Sequence, residues 1–224
     1  MQLPDKNVRP IGFLESPHSS PTLPTGKQAV PTEGGAFCCI FVMERITSLG
    51  LKRKNLLITG LPGVGKTTLI KKLSETLKGF HPVGFYTNEI REGGERKGFE
   101  LISLNGRKGL LSHKNIRSPC QVGQYRVDVK GFEDFIDSIS FFNPLTRLII
   151  IDEIGKMECL SESFKKLLKE ILDSEKRLIA TIALKGSGLI AEVKKRKDVQ
   201  LFEITKGNRD SLFSAILTEL DIEN

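Results

Sequence analysis

The 224-residue sequence predicts an α/β domain of three layers around a largely parallel central sheet, with one β-hairpin inserted and a low-order tail in front. Three observations carry that prediction. A short apolar run, Asn55-Leu56-Leu57-Ile58-Thr59, leads into a glycine loop and then into a segment with helical spacing. A second apolar run, Leu148 to Ile151, ends in two acids, Asp152 and Glu153. Around these, strand-like and helix-like segments alternate, as parallel strands joined by crossover helices must.

Residues 1–50 stand apart. Most of the chain's ten prolines fall there, with Gly and Ser and no sustained period, so the stretch reads as a low-order extension. The compact domain is expected over 51–224, with Met43 a natural start for it. The apolar stretch Ala36 to Met43 is too short to span a membrane and lacks the basic lead of a signal peptide.

Within the domain, Asn55–Thr59 reads as a buried strand, and Leu69, Ile70, Leu73 and Leu77 share one face of the helix that follows the glycine loop. Gly84 to Arg91 and Arg96 to Leu104 flank Glu92-Gly93-Gly94-Glu95 and form a hairpin. Tyr125 to Val129 alternates as a strand, and Phe132, Phe135, Ile136 and Ile139 then recur at helical spacing. After the acidic strand, Phe164, Leu167, Leu168, Ile171 and Leu172 make an amphipathic helix. Strands at Arg177–Ala183 and Gln200–Thr205 enclose a helix near Ile190–Lys197. A last helix over about Asp210–Asp221 is buried through Leu212, Phe213, Ile216, Leu217 and Leu220.

The chemistry lies in two places. Gly60-Leu61-Pro62-Gly63-Val64-Gly65-Lys66-Thr67 fits G-x-x-x-x-G-K-[ST], the phosphate-binding loop, between the strand and helix it requires. Gly60, Gly63 and Gly65 let backbone N–H groups curl around phosphates, and the helix start adds its unpaired N–H groups and partial positive charge. Lys66 then neutralises the β- and γ-phosphates while the Thr67 hydroxyl ligates Mg²⁺. Asp152, at the carboxyl end of a central strand, is the second Mg²⁺ residue, and Glu153 beside it is placed to deprotonate a water, as a general base.

Composition narrows the partners. A net charge of +7 suits anionic ligands, but the basic residues come in short runs, often beside acids, and two Tyr with no Trp leave few stacking platforms, so nucleic acid is possible but not favoured. Cys38, Cys39, Cys120 and Cys159 form no C-x-x-C pair or zinc spacing, which fits free thiols in a reducing cytoplasm. A cytoplasmic monomer with no membrane partner is expected.

Further segments resemble one family. The loop with Thr68 and Leu69, then Gly84-Phe85-Tyr86-Thr87 with Glu89-Ile90-Arg91, Val122-Gly123-Gln124-Tyr125, Asp152-Glu153-Ile154-Gly155-Lys156-Met157-Glu158, and Arg196-Lys197-Asp198 before Thr205-Lys206-x-Asn208-Arg209, resemble in order and spacing the thermophilic-type, or cancer-related, nucleoside-triphosphatases. The resemblance runs from about Lys54 to the C-terminus. It implies a RecA-like P-loop domain that hydrolyses ATP, GTP, CTP and UTP, with Mg²⁺ and little base selectivity, to diphosphate and phosphate. It also implies that Gly60 to Thr68 and the Ile151-to-Glu158 segment contact the nucleotide, with Glu153 as base. Lys156 is a further candidate for stabilising transition-state charge, against a surface lysine in a turn. Asn208 and Arg209 could meet the base or ribose, or Asn208 could simply cap the last helix. Arg91 and Arg96 could approach the γ-phosphate from the hairpin. The rival functions are a P-loop kinase, for which no arginine-rich lid is visible, and a partner-stimulated nucleotide switch or RNA-associated module.

Overall fold

The computed structural model describes residues 54–220. The expectations placed on residues 1–53, the low-order extension among them, lie outside the described residues. Nine strands form one sheet: β1 (Asn55–Thr59), β2 (Val83–Glu92), β3 (Glu95–Ser103), β4 (Lys108–His113), β5 (Gln121–Val122), β6 (Tyr125–Val127), β7 (Leu148–Ile154), β8 (Arg177–Ile182) and β9 (Val199–Glu203). Five helices accompany them: α1 (Lys66–Thr76), α2 (Val129–Asp137), α3 (Glu162–Asp173), α4 (Leu189–Lys194) and α5 (Arg209–Glu219). The strand order is β5-β6-β4-β3-β2-β7-β8-β1-β9.

From β2 to β9 every pairing is parallel, so these five strands bring their carboxyl ends to one edge. Their side chains alternate between two apolar layers, as strands buried on both faces require. Leu57, Ile149, Ile151, Leu178 and Ala180 face a core shared with α2, α3 and α4, where Phe132, Phe135, Phe164 and Leu168 are buried. Leu56, Ile58, Leu148, Ile150 and Ile179 face the opposite core, closed by Leu69, Ile70 and Leu73 of α1 and Phe213, Ile216 and Leu217 of α5. The three-layer expectation therefore holds, element by element.

The sheet is more mixed than expected. Beyond β2, the strands β3, β4, β6 and β5 continue antiparallel, so the predicted hairpin is the first part of a wing. Lys108-Gly109-Leu110-Leu111-Ser112-His113 lacks a sustained alternation and contains a glycine, which hides β4 in the sequence. Gly109 earns its place by packing: a β-carbon there would lie 2.9 Å from the Phe135 ring.

Candidate active site

The parallel strands deliver the site to their common carboxyl edge, as open α/β sheets do. After β1 the chain turns through the glycine loop, with Gly63 at φ 73° and Gly65 at φ 105°, both in the left-handed region that favours glycine. Gly65 is also the residue that opens α1. Val64 turns inward to the core, while the rest of the loop faces a crevice of about 830 Å³. Lys66 folds back over the loop, its Nζ donating to the Gly60 carbonyl at 3.2 Å and lying 3.7 Å from Glu153 Oε2.

Asp152 ends the apolar run of β7 and is 1% exposed. Three hydroxyls from three elements donate to it: Thr67 Oγ1 to Oδ2 at 2.7 Å, Thr87 Oγ1 to Oδ2 at 3.4 Å, and Thr181 Oγ1 to Oδ1 at 2.5 Å. Strand β8 lies between β1 and β7 in the sheet, which is how Thr181 reaches the acid. Hydroxyl and carboxylate oxygens are the hard donors that Mg²⁺ takes, so Thr67 and Asp152 fit the ion. Among the described residues no cluster of three or more acidic, His or Cys side chains could cage a metal.

Glu153 lines the crevice opposite the loop. Burial raises its pKa above the ordinary glutamate value, Lys66 pulls it back down, and Asp152 pushes it up. A second buried acid stands behind it. Glu158, in a short 3₁₀ turn, accepts the Gly155 N–H at 3.1 Å. Burial, with Glu153 and Asp152 adding repulsion, pushes its pKa up to about 8, so at neutral pH it carries a proton. Lys194 of α4 donates to the carbonyls of Ala183 (2.6 Å) and Leu184 (2.9 Å), securing the β8–α4 connection where it borders the crevice.

Gly60, Leu61, Pro62, Gly63, Gly65, Lys66, Thr67, Thr68 and Glu153 all line the crevice. From the acidic segment, Ile151 and Ile154 instead belong to the core, and Met157 packs on Ser112. Lys156 is exposed and lies outside the crevice lining. Arg96 lines the crevice, held by Glu89 at 2.7 Å and the Tyr125 hydroxyl at 2.9 Å, whereas Arg91 lies outside the lining, bonded to Glu89 and the Gly94 carbonyl. Asn208 stands at the start of α5, yet its side chain makes no helix cap. Sequence reasoning missed Thr181 and Lys194. Thr181 is a polar residue inside an apolar strand, a visible signal; Lys194 sits in a basic run and offers none.

A family model described as NTPase matches residues 55–217. A curated relative, the nucleoside-triphosphatase THEP1 of Thermotoga sp. (strain RQ2), is 47% identical over 74% of this chain and 94% of its own length. The human cancer-related nucleoside-triphosphatase is 41% identical over 74% of this chain and 95% of its own. Among solved structures, the crystal structure of THEP1 from Aquifex aeolicus aligns with a TM-score of 0.65 at 37% identity, covering 75% of this chain and 99% of that one.

Proposed function

The chain belongs to the nucleoside-triphosphatase family and is a hydrolase of nucleoside triphosphates; from that premise we propose that it splits ATP, GTP, CTP and UTP alike, with Mg²⁺, to the diphosphate and phosphate. The observation that carries the reading is Glu153: a half-buried carboxylate in the wall of the crevice that the phosphate loop lines, next in the chain to the buried Asp152. Lys66 and the loop's backbone hold the triphosphate, and Glu153 takes a proton from a water as its oxygen bonds the γ-phosphorus. The bond from that phosphorus to the β-bridging oxygen breaks, and the diphosphate leaves. Held by Thr67 and Asp152, Mg²⁺ would neutralise charge on the phosphates.

Burial of Glu153 favours the role, because a base whose pKa lies above the ordinary carboxylate range takes a proton more readily. Lys156, exposed and not among the residues lining the crevice, has the weakest claim to a part in the reaction. Among the described residues no helix is long and apolar enough to cross a membrane, and a cytoplasmic monomer acting on free nucleotides completes the proposal. The test is phosphate release from the four triphosphates and their diphosphates, with Mg²⁺ and no acceptor. Glu153→Gln should keep nucleotide binding and slow release by about 10²–10⁴-fold, as for a lost general base. Lys66→Ala should weaken binding itself. Near-normal turnover in Glu153→Gln would sink the base assignment. Tight binding without release in the wild type would point to a kinase lacking its acceptor, or a switch lacking its partner.

A further inference from the structure

The connection from β9 to α5 is fastened to the phosphate loop at two points. Ile204 N–H donates to the Thr59 carbonyl at 2.8 Å, and Gly60 approaches so closely that a β-carbon there would lie 2.6 Å from the Ile204 oxygen. At the far end of the loop, a β-carbon on Gly65 would meet Arg209 Nε, Cζ and Cδ at 3.4, 3.5 and 3.7 Å. The guanidinium end of Arg209 thus lies against the last glycine of the loop. It is exposed, stands beside the crevice at Gly65 rather than in its lining, and among the described residues has no hydrogen bond or ion pair.

Sheet order gives this placement a meaning. Glu153 stands at the carboxyl end of β7 on one side of β1, while Arg209 follows β9 on the other. A triphosphate in the loop has its γ end toward Lys66 and Glu153, so its α-phosphate and nucleoside leave toward Arg209. The neighbouring Asn208 is already committed: its Oδ1 accepts the Thr205 N–H at 2.7 Å and its Nδ2 donates to the Glu203 carbonyl at 2.9 Å. Those two bonds fix the amide against the loop, with one of its donors and one of its acceptor sites already used. An unpaired guanidinium, by contrast, offers a flat cationic face, and every nucleobase has a π-face to lay on it.

We propose that Arg209 is the nucleobase contact of this site, stacking on the face of any nucleoside triphosphate and thereby holding purines and pyrimidines without reading their edges. The inference rests on the triphosphatase reading above, and it supplies a physical cause for weak base selectivity.

Its test is equilibrium binding with Mg²⁺, measured on the full chain in a Glu153→Gln background so that turnover does not intervene. The ligands are ATP, GTP, CTP, UTP and inorganic tripolyphosphate, which has the phosphates but no base. Arg209→Ala should raise Kd for all four nucleotides by about 5- to 30-fold, the range of an arginine stack, and leave tripolyphosphate unchanged. Arg209→Lys keeps the charge but not the planar face, so it should stay close to Arg209→Ala. Unchanged nucleotide binding in Arg209→Ala would overturn the proposal. So would an equal loss for tripolyphosphate or full rescue by lysine, since both would place Arg209 on the phosphates. Phosphate release is a separate readout: nucleotides that bind but are not hydrolysed by the wild type defeat the triphosphatase reading and leave the Arg209 comparison standing.

Discussion

Replacing Glu158 by glutamine should stabilise the protein, and increasingly so as the pH rises. Glu158 is 5% exposed, and burial together with Glu153 and Asp152 pushes its pKa from the ordinary 4.5 to about 8. The folded chain therefore keeps a proton that the unfolded chain releases above about pH 4.5. With fewer protons bound in the unfolded state, stability falls as pH rises between these two values and levels off above the higher one. At about 1.4 kcal/mol per tenfold in proton affinity, that interval caps the effect at roughly 5 kcal/mol. Water entering the site on ionisation lowers the cap, and about 2–4 kcal/mol is expected. Glutamine keeps an oxygen for the Gly155 N–H and cannot ionise. Urea unfolding of the full chain and of Glu158→Gln, in metal-free buffer from pH 5 to 9, reads the difference directly. The two should be close at pH 5 and diverge toward pH 8, with the variant the more stable. A difference that stays constant across the range would refute the argument, because it would mean that Glu158 titrates as it does in the unfolded chain.

Two other substitutions address the site's remaining assignments. Thr181→Val keeps the shape of the side chain but removes the hydroxyl that donates to buried Asp152 Oδ1; unfolding should show a loss of about 1–3 kcal/mol, Thr181→Ser should recover most of it, and phosphate release should fall with the loss of Asp152's orientation. Lys156→Ala, on an exposed side chain outside the crevice, should change phosphate release by less than about tenfold, whereas a loss of 10²–10³ would give that lysine the charge-stabilising role.

The parallel half of the fold was legible because its signals are local. Asn55–Thr59 and Leu148–Ile151 are continuous apolar runs, and the helix after the loop shows its buried face at period 3.6. The antiparallel wing was only half legible: the Glu92–Glu95 turn announces β2 and β3, but two-residue β5 and glycine-bearing β4 carry no period of their own. Within the candidate site, the glycine loop, Asp152 and Glu153 can be singled out in the sequence, since each is marked by its place at or near a strand end. It does not reveal what surrounds them. Thr181 meets Asp152 only because β8 lies beside β7, with Ile151 paired to Ala180 and the register shifting before Ile154. Likewise, Arg209 lies against Gly65 across 144 positions of sequence through the docking of β9 beside β1. Val64, Ile151 and Ile154 sit inside the two motifs with their side chains in the core, so any contact they make at the crevice is through the backbone.

Three carboxyl groups share one corner of this molecule, and their surroundings give them three different characters. Asp152 is met by three neutral hydroxyls and has no ion pair among the described residues. Glu153 faces an ammonium 3.7 Å away, whose pull is overcome by burial, so it keeps appetite for a proton. A triphosphate bound as proposed would strengthen that tendency, since its phosphates would compete for Lys66 and bring negative charge of their own. Glu158 is buried too deeply to ionise at neutral pH and so adds no third negative charge to the pair. Were it charged, Asp152 and Glu153 would repel it and each other across a dry interior, and the turn that places Glu153 in the crevice wall would be the part to give way. A neutral acid behind Glu153 therefore spares the crevice wall a repulsion that a buried site would screen poorly.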